Sequence, residues 1–170
     1  MEVSTGMYPS CRALNVWLPG VRPVSMSGDL PRADPSTWSS APGGSVVNIT
    51  SAMVKAPFVH MSLSTTARAG LTAFCKAVSR DVAVDNVTIN NLLPERIDTG
   101  RQQFMIERRA KLDGVALEDA RQTISDTIAA KRFGTPEEFG SICAYLCSDL
   151  AGFISGQNVQ VDGGTYPGLM

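Results

Sequence analysis

Three polar side chains stand where a ligand can be met. Ser51 follows the short β-rich run Ser45-Val46-Val47-Asn48-Ile49-Thr50, and ligands bind at the C-terminal ends of strands in an α/β sheet. Ser64 and Arg68 are four residues apart in a stretch with helical periodicity, which stacks them on one helix face. Two hydroxyls and a guanidinium can hold a carbonyl oxygen or an anion. Plainer roles compete: Ser64 as a first-turn helix residue, and Arg68 as a solvated or structural cation. Ser51 is the strongest functional candidate of the three. Cysteines stand at Cys11, Cys75, Cys143 and Cys147, with a single histidine, His60, in a loop beside Pro57. Cys143 and Cys147 share a helix face, which suits either small core residues or a metal pair. With no C-x-x-C and one histidine, the core reading is favoured and no metal is expected.

The elements that must position these groups belong to an ordinary globular chain. Of 170 residues, 44% are hydrophobic and 18% charged, with 15 basic against 16 acidic residues, for a formal net charge of −1. A nucleic-acid or anionic-membrane surface relies on clustered Lys and Arg, so neither partner is expected. No apolar run approaches the ~20 residues that span a bilayer. Glu2 and the lack of a basic leader argue against a signal peptide, so a cytoplasmic location is expected. Two N-x-T sequons, Asn48 to Thr50 and Asn86 to Thr88, carry little weight without secretion.

Composition changes near residue 44. Six of the ten prolines fall in residues 1–44, and Pro, Gly and Ser fill 18 of those 44 positions. An irregular segment is expected there, with Asn15-Val16-Trp17-Leu18 as its best strand candidate, ended by Pro19-Gly20. From Ser45 the pattern sharpens into a strand, then a long helix with Leu63, Ala67, Leu71, Phe74, Val78 and Val82 as its buried stripe. Asn86 closes a turn, and Val87 to Leu93 reads as a second strand ending at Pro94. Strand, helix and strand at this spacing form a βαβ unit with parallel strands. Helices are expected over 101–112 and 116–131. Another is announced by Thr135-Pro136-Glu137-Glu138, where Thr135 caps, Pro136 opens and Glu138 completes a capping box. Phe139, Ile142, Cys143, Leu146 and Leu150 supply its apolar face. Gln157 to Val161 is a last strand, left by the Asp162-Gly163-Gly164 turn. The expected class is α/β, a parallel sheet covered by helices.

Six segments in this order resemble the C-terminal half of the short-chain dehydrogenase/reductase family, in particular its 3-oxoacyl-carrier-protein-reductase-like members. They are Val47-Asn48-Ile49-Thr50-Ser51, Ala67-Arg68-Ala69-Gly70-Leu71, Val87 to Pro94, Ile97-Asp98-Thr99, Arg132 to Glu138, and Gly156-Gln157 to Gly163-Gly164. The match covers about residues 44–168. The resemblance implies a truncated Rossmann-like, doubly wound sheet, with residues 1–44 as a separate irregular segment and 45–170 as the C-terminal part of the domain. It also implies an NAD(P)-dependent oxidoreductase acting on a carbonyl or alcohol.

Carried over by position, the resemblance makes Ser51 the serine that hydrogen-bonds the substrate carbonyl. The family's Tyr-x-x-x-Lys falls on Ser64 and Arg68. A lysine four residues away tunes the phenol as proton donor, and such general acid help is worth ~10²–10⁴ in rate. Serine is a weaker acid, and an arginine fork is no copy of an ammonium. The catalytic motif is therefore expected to be degraded. Tyr145 and Tyr166 are the remaining tyrosines of the matched region, and family tails such as the one bearing Tyr166 fold near the active site. The nicotinamide loop, P-G-x-x-x-T in the family, reads Pro94-Glu95-Arg96-Ile97-Asp98-Thr99 here. Pro94, Ile97 and Thr99 become cofactor-side residues, and Glu95 stands in the glycine's place, where a changed backbone is expected. The chain holds neither G-x-G-x-x-G nor the family's T-G-x-x-x-G-x-G turn, the feature that lets amides approach a pyrophosphate.

Two other functions stay open. One is an inactive subunit acting through homo-oligomerisation across residues 136–164 or through partner binding. The other is a small anion- or thioester-binding module built on Arg68 and Ser51.

Overall fold

The computed structural model describes residues 43–169. The expected irregular segment up to Pro42, its strand candidate Asn15–Leu18 and Cys11 lie outside the described residues. Three strands form one sheet: β1 (Gly44–Ile49), β2 (Val87–Pro94) and β3 (Asn158–Val161), in the order β1-β2-β3 and parallel throughout. A 20-residue helix α1 (Ser62–Asp81) crosses from β1 to β2. Three helices, α2 (Gly100–Asp113), α3 (Leu117–Ser125) and α4 (Pro136–Leu146), lie between β2 and β3. This is the expected α/β class with the expected parallel pairing.

Local sequence explains the turning points. Asn86 adopts φ 59° at the entry to β2, a left-handed conformation that asparagine tolerates. Thr135 caps α4 by accepting from Glu138 N at 3.1 Å, while Glu138 Oε2 accepts from Thr135 N at 2.8 Å, the expected capping box. Gly156, with φ +68°, starts the approach to β3. A Cβ there would lie 2.7 Å from Ser79 Oγ, so glycine is required by both angle and space.

The sheet packs against α1 and α4. Val47 and Leu92 point toward α4 and join Leu146 and Ala151 in one apolar cluster, flanked by Phe139, Ile142 and Cys143. Burying each of the larger aliphatic side chains contributes ~1.5–3 kcal/mol. Toward α1 the sheet presents Asn48 and Asn91, and Asn48 Nδ2 donates to Cys75 Sγ at 3.2 Å. A second cluster holds α2 and α3 together through Ile106, Ala110, Ala120, Ile128 and Phe133.

Three sequence expectations are corrected. The inward residues of α1 are Thr72, Cys75 and Ser79, whereas Leu63 (88% exposed) and Phe74 (65%) face solvent; Cys75 meets Asn48 of the sheet. Helix α3 ends at Ser125 rather than 131, because Ala130 N bonds Gly163 O at 3.0 Å and Ile128 is buried. The chain leaves the helix there through Lys131, at φ 56°. Leu150 lies beyond α4 in a 3-10 turn and is exposed instead of completing the α4 stripe.

Candidate functional site

The C-terminal ends of β1 and β2 deliver the chain to two tight structures. At the end of β1, Ser51 sits in extended conformation and caps a 3-10 turn, Ala52–Val54, its Oγ accepting from Met53 N at 3.3 Å. At the end of β2, Thr99 caps α2, its Oγ1 accepting from Gln102 N at 3.4 Å. Ser64 and Arg68 meet as their i, i+4 spacing requires: Arg68 Nη1 donates to Ser64 O at 3.2 Å and also to Ser64 Oγ. Among the described residues no hydrogen bond joins Ser51 to this pair.

Residues 94–99 form a loop tied down on both flanks. Glu95 N donates to Val161 O at 3.1 Å, continuing the ladder between β2 and β3. Gly134 N donates to Arg96 O at 3.0 Å, and Asp98 N to Gly134 O at 2.8 Å. Ile97 is thereby bridged to Gly134. Arg121 pairs with Asp98 and stacks over Phe133 at 4.7 Å, and the Asp98 carboxylate raises the arginine's pKa. Glu95 is regular backbone; the left-handed residue is Arg96, at φ 56°. The left-handed bend falls on the residue after Glu95.

Sequence reading missed a contact between Ser51's turn and the C-terminal tail. Lys55, the residue that closes the 3-10 turn, donates from Nζ to Gln160 Oε1 at 3.1 Å. Its ammonium lies 5.7 Å from the centre of the Tyr166 ring, within cation–π range. Asp162 fixes the tail by accepting from Gly164 N and Tyr166 N, both at 3.0 Å. Lys55 four residues after Ser51 gave no signal by itself, because its partners are more than 100 positions away.

Arg101, the second residue of α2, was also missed. Burial pulls Arg68 below the ordinary guanidinium value, and Arg101 nearby adds to the effect. A cavity of about 270 Å³ lies elsewhere, between Glu95, Arg96, Arg132, Ile142 and Val161. Of the six residues expected at the site, Ile97 alone lines it. His60 sits in a 3-10 turn, exposed and stacked on Phe58. No group of three or more metal-ligating side chains occurs among the described residues. Nor is any described helix long and apolar enough to cross a membrane. Cys143 is packed against the core and within hydrogen-bonding reach of Cys147, which lowers its pKa.

Known proteins share this arrangement of elements. Residues 33–166 match the profile of a family described as Enoyl-(Acyl carrier protein) reductase, so the match begins earlier than residue 44. The NADPH-dependent reductase BacG of Bacillus subtilis (strain 168) is 32% identical over 126 residues, 74% of this chain and 49% of its own length. The 3-oxoacyl-[acyl-carrier-protein] reductase FabG of Aquifex aeolicus (strain VF5) is 32% identical over 123 residues, 72% of this chain and 45% of that protein. Among solved structures, L-sorbose reductase from Gluconobacter frateurii, complexed with NADPH and L-sorbose, superposes with a TM-score of 0.70 at 27% identity. That superposition covers 75% of this chain and 49% of the reductase. The chain spans about half the length of the relatives it matches. Its truncated Rossmann-like sheet and its ordered motifs place it in the short-chain dehydrogenase/reductase family, as a 3-oxoacyl-carrier-protein-reductase-like member.

Proposed function

We propose that the chain provides the substrate end of an NAD(P)-dependent oxidoreductase acting on a carbonyl or alcohol, with its proton-donating motif degraded. The observation that carries this reading is the delivery of Ser51 and Thr99 to the ends of neighbouring parallel strands by rigidly tied loops. Two buried groups, Gln102 Nε2 in the first turn of α2 and Thr65 Oγ1 in α1, have no hydrogen-bond partner among the described residues. Pro94, Ile97 and Thr99 would hold the nicotinamide end of the dinucleotide, and Arg68 a ribose hydroxyl. When bound, the cofactor supplies or accepts a hydride.

This chain's own residues then orient and protonate. Ser51 Oγ accepts from Met53 and keeps its hydroxyl hydrogen for a carbonyl oxygen. Ser64 is engaged by Arg68, yet an alcohol is too weak an acid to give the full ~10²–10⁴ of general acid help. Tyr166, held beside Lys55, is the phenol best suited to take over. Titration with NADH and with NADPH, followed by nicotinamide fluorescence, tests the reading. Saturable binding below about a millimolar is expected; no binding to either removes the cofactor from this chain.

A second reading, an inactive subunit acting through assembly, draws support from residues 136–164. Phe153 is fully exposed there, with Leu150 and Tyr145 also open to solvent. A homo-oligomer formed through this face, in the cytoplasm, would leave Phe153→Asp with a smaller sedimenting mass than the parent chain. Unchanged mass in that variant counts against this interface.

A further inference from the structure

Three of the four cysteines fall among the described residues, and two of them share one turn of helix. Cys143 lies in α4 and Cys147 caps its C-terminal end, with Cys147 N donating to Cys143 O at 3.1 Å. Residues so spaced stand one above the other on a helix surface. Both side chains pack against the same apolar cluster of Val47, Leu92, Leu146 and Ala151, yet neither residue is fully buried.

Cys75 is a contrast. It is 6% exposed, accepts from Asn48 Nδ2 at 3.2 Å, and burial pushes its thiol up. Cys143 moves the other way: a hydrogen bond with Cys147 pulls its thiol below the ordinary value, against the opposing effect of burial. A sulfur that accepts a neighbour's S–H holds negative charge more easily, and the thiolate is the nucleophile.

The end of α4 lets the two sulfurs meet. Four residues of helix advance about 6 Å, inside the Cα separation of ~4.4–6.8 Å that a disulfide accepts. The Cβ atoms of such a pair stand ~5–6 Å apart and must close to ~3.5–4.5 Å. Cys147 is the cap, and its amide is divided between Cys143 O at 3.1 Å and Ala144 O at 3.2 Å. Its backbone can therefore adjust without unpairing the helix interior.

We infer that Cys143 and Cys147 are a redox pair that hydrogen peroxide closes to a disulfide, with Cys143 as the attacking sulfur and Cys147 as the resolving one. The Cys143 thiolate attacks a peroxide oxygen and the O–O bond breaks, leaving a sulfenic acid on Cys143. The hydroxide released takes up the proton that Cys143 lost, as water. Cys147 sulfur then attacks Cys143 sulfur, forming the S–S bond as the S–O bond breaks. The departing hydroxide takes the Cys147 proton as a second water. Two electrons pass from the sulfurs to the peroxide, so two thiols and one peroxide give one disulfide and two waters. The inference does not depend on cofactor binding.

Trypsin isolates the pair, because no Lys or Arg follows Arg132 and the peptide 133–170 holds these two cysteines and no other. The full native chain is treated with hydrogen peroxide, quenched, unfolded, alkylated with iodoacetamide and digested for mass spectrometry. The 133–170 peptide should lose two hydrogens, take no alkyl group, and regain both thiols with dithiothreitol. The pair should oxidise roughly tenfold or more faster than Cys75, whose raised thiol leaves less thiolate. In Cys147→Ser, dimedone should label Cys143 as its sulfenic acid. Circular dichroism checks that the variant folds, and if it does not, the parent chain decides alone. Cys75 oxidised before the pair, a disulfide joining two copies of the peptide, or no dimedone adduct in folded Cys147→Ser overturns the inference.

Discussion

Asn48, Asn91 and Asn158 lie side by side on the three strands, and their side-chain amides join across the sheet. Asn48 Nδ2 donates to Asn91 Oδ1 at 3.2 Å, and Asn91 Nδ2 to Asn158 Oδ1 at 2.9 Å. Cys75 ends the row by accepting from Asn48. Burial pushes the Cys75 thiol up, against a smaller opposing pull from Asn48, so the sulfur stays neutral beside the amide. A buried polar row is stable only when every member is satisfied, and it fixes the strand register more tightly than apolar contacts would. It also disposes of the first glycosylation sequon, whose Asn48 is 2% exposed. Asn91 is the central member, so Asn91→Ala removes Asn158's donor, one of Asn48's acceptors and buried volume together. A loss of about 2–4 kcal/mol is expected, read as a lower urea midpoint with unchanged slope. A change below about 0.5 kcal/mol, the range of neutral surface substitutions, would mean the row contributes nothing to stability.

Helices show which features a sequence displays and which it conceals. The α4 cap was legible because all its partners lie within three residues. Arg132 strengthens it through two hydrogen bonds to Glu138, at 2.8 and 2.6 Å. These bonds, with the Thr135 amide, hold the Glu138 pKa at about 2 against an ordinary 4.5. A carboxylate depressed on folding contributes stability that is present above its unfolded pKa and lost as pH falls through its folded one. Lowering pH from about 5 to 2 should therefore erode the stability of the parent chain more than that of Glu138→Gln, by urea titration at each pH. Parallel pH profiles would contradict the assignment. The Ser64–Arg68 contact was legible for the same local reason. By contrast, the buried side of α1 was not, because helical periodicity marks an apolar stripe without saying whether the sheet opposite is apolar. Here the sheet offers Asn48 as the partner of Cys75. Nor was the early end of α3, set by Ile128 and the distant Gly163, or the meeting of Lys55 with Tyr166. If α1 is oriented as described, Phe74→Ala should cost under about 0.5 kcal/mol in dilute solution, where a buried phenylalanine would cost ~3–5. A large loss at every protein concentration would mean that another surface covers this face.

Across the described residues, β2 is the one strand with neighbours on both sides. The chain spans about half the length of the relatives it matches, and β1 stands at an edge of the sheet among the described residues. Backbone geometry says which groups that edge leaves open. Gly44 N and Thr50 N donate to Asn86 O and Leu92 O, at 3.3 and 2.8 Å, so the even-numbered residues of β1 face β2. Alternation then turns the N–H and C=O groups of Ser45, Val47 and Ile49 outward, where none has a partner among the described residues. Val47 is 2% exposed through its side chain, so burial and hydrogen bonding are uncoupled at this residue. An unpaired parallel edge beside a packed core is a site for strand addition. Amide hydrogen exchange reads it directly. With the edge open, the amides of Ser45, Val47 and Ile49 should exchange much faster than those of Val46, Asn48 and Thr50, giving a period of two along one strand. Equal protection at all six would show that the edge is covered. Repeating the measurement on dilution would then separate a second copy, whose protection falls with concentration, from a segment of the same chain, whose protection does not.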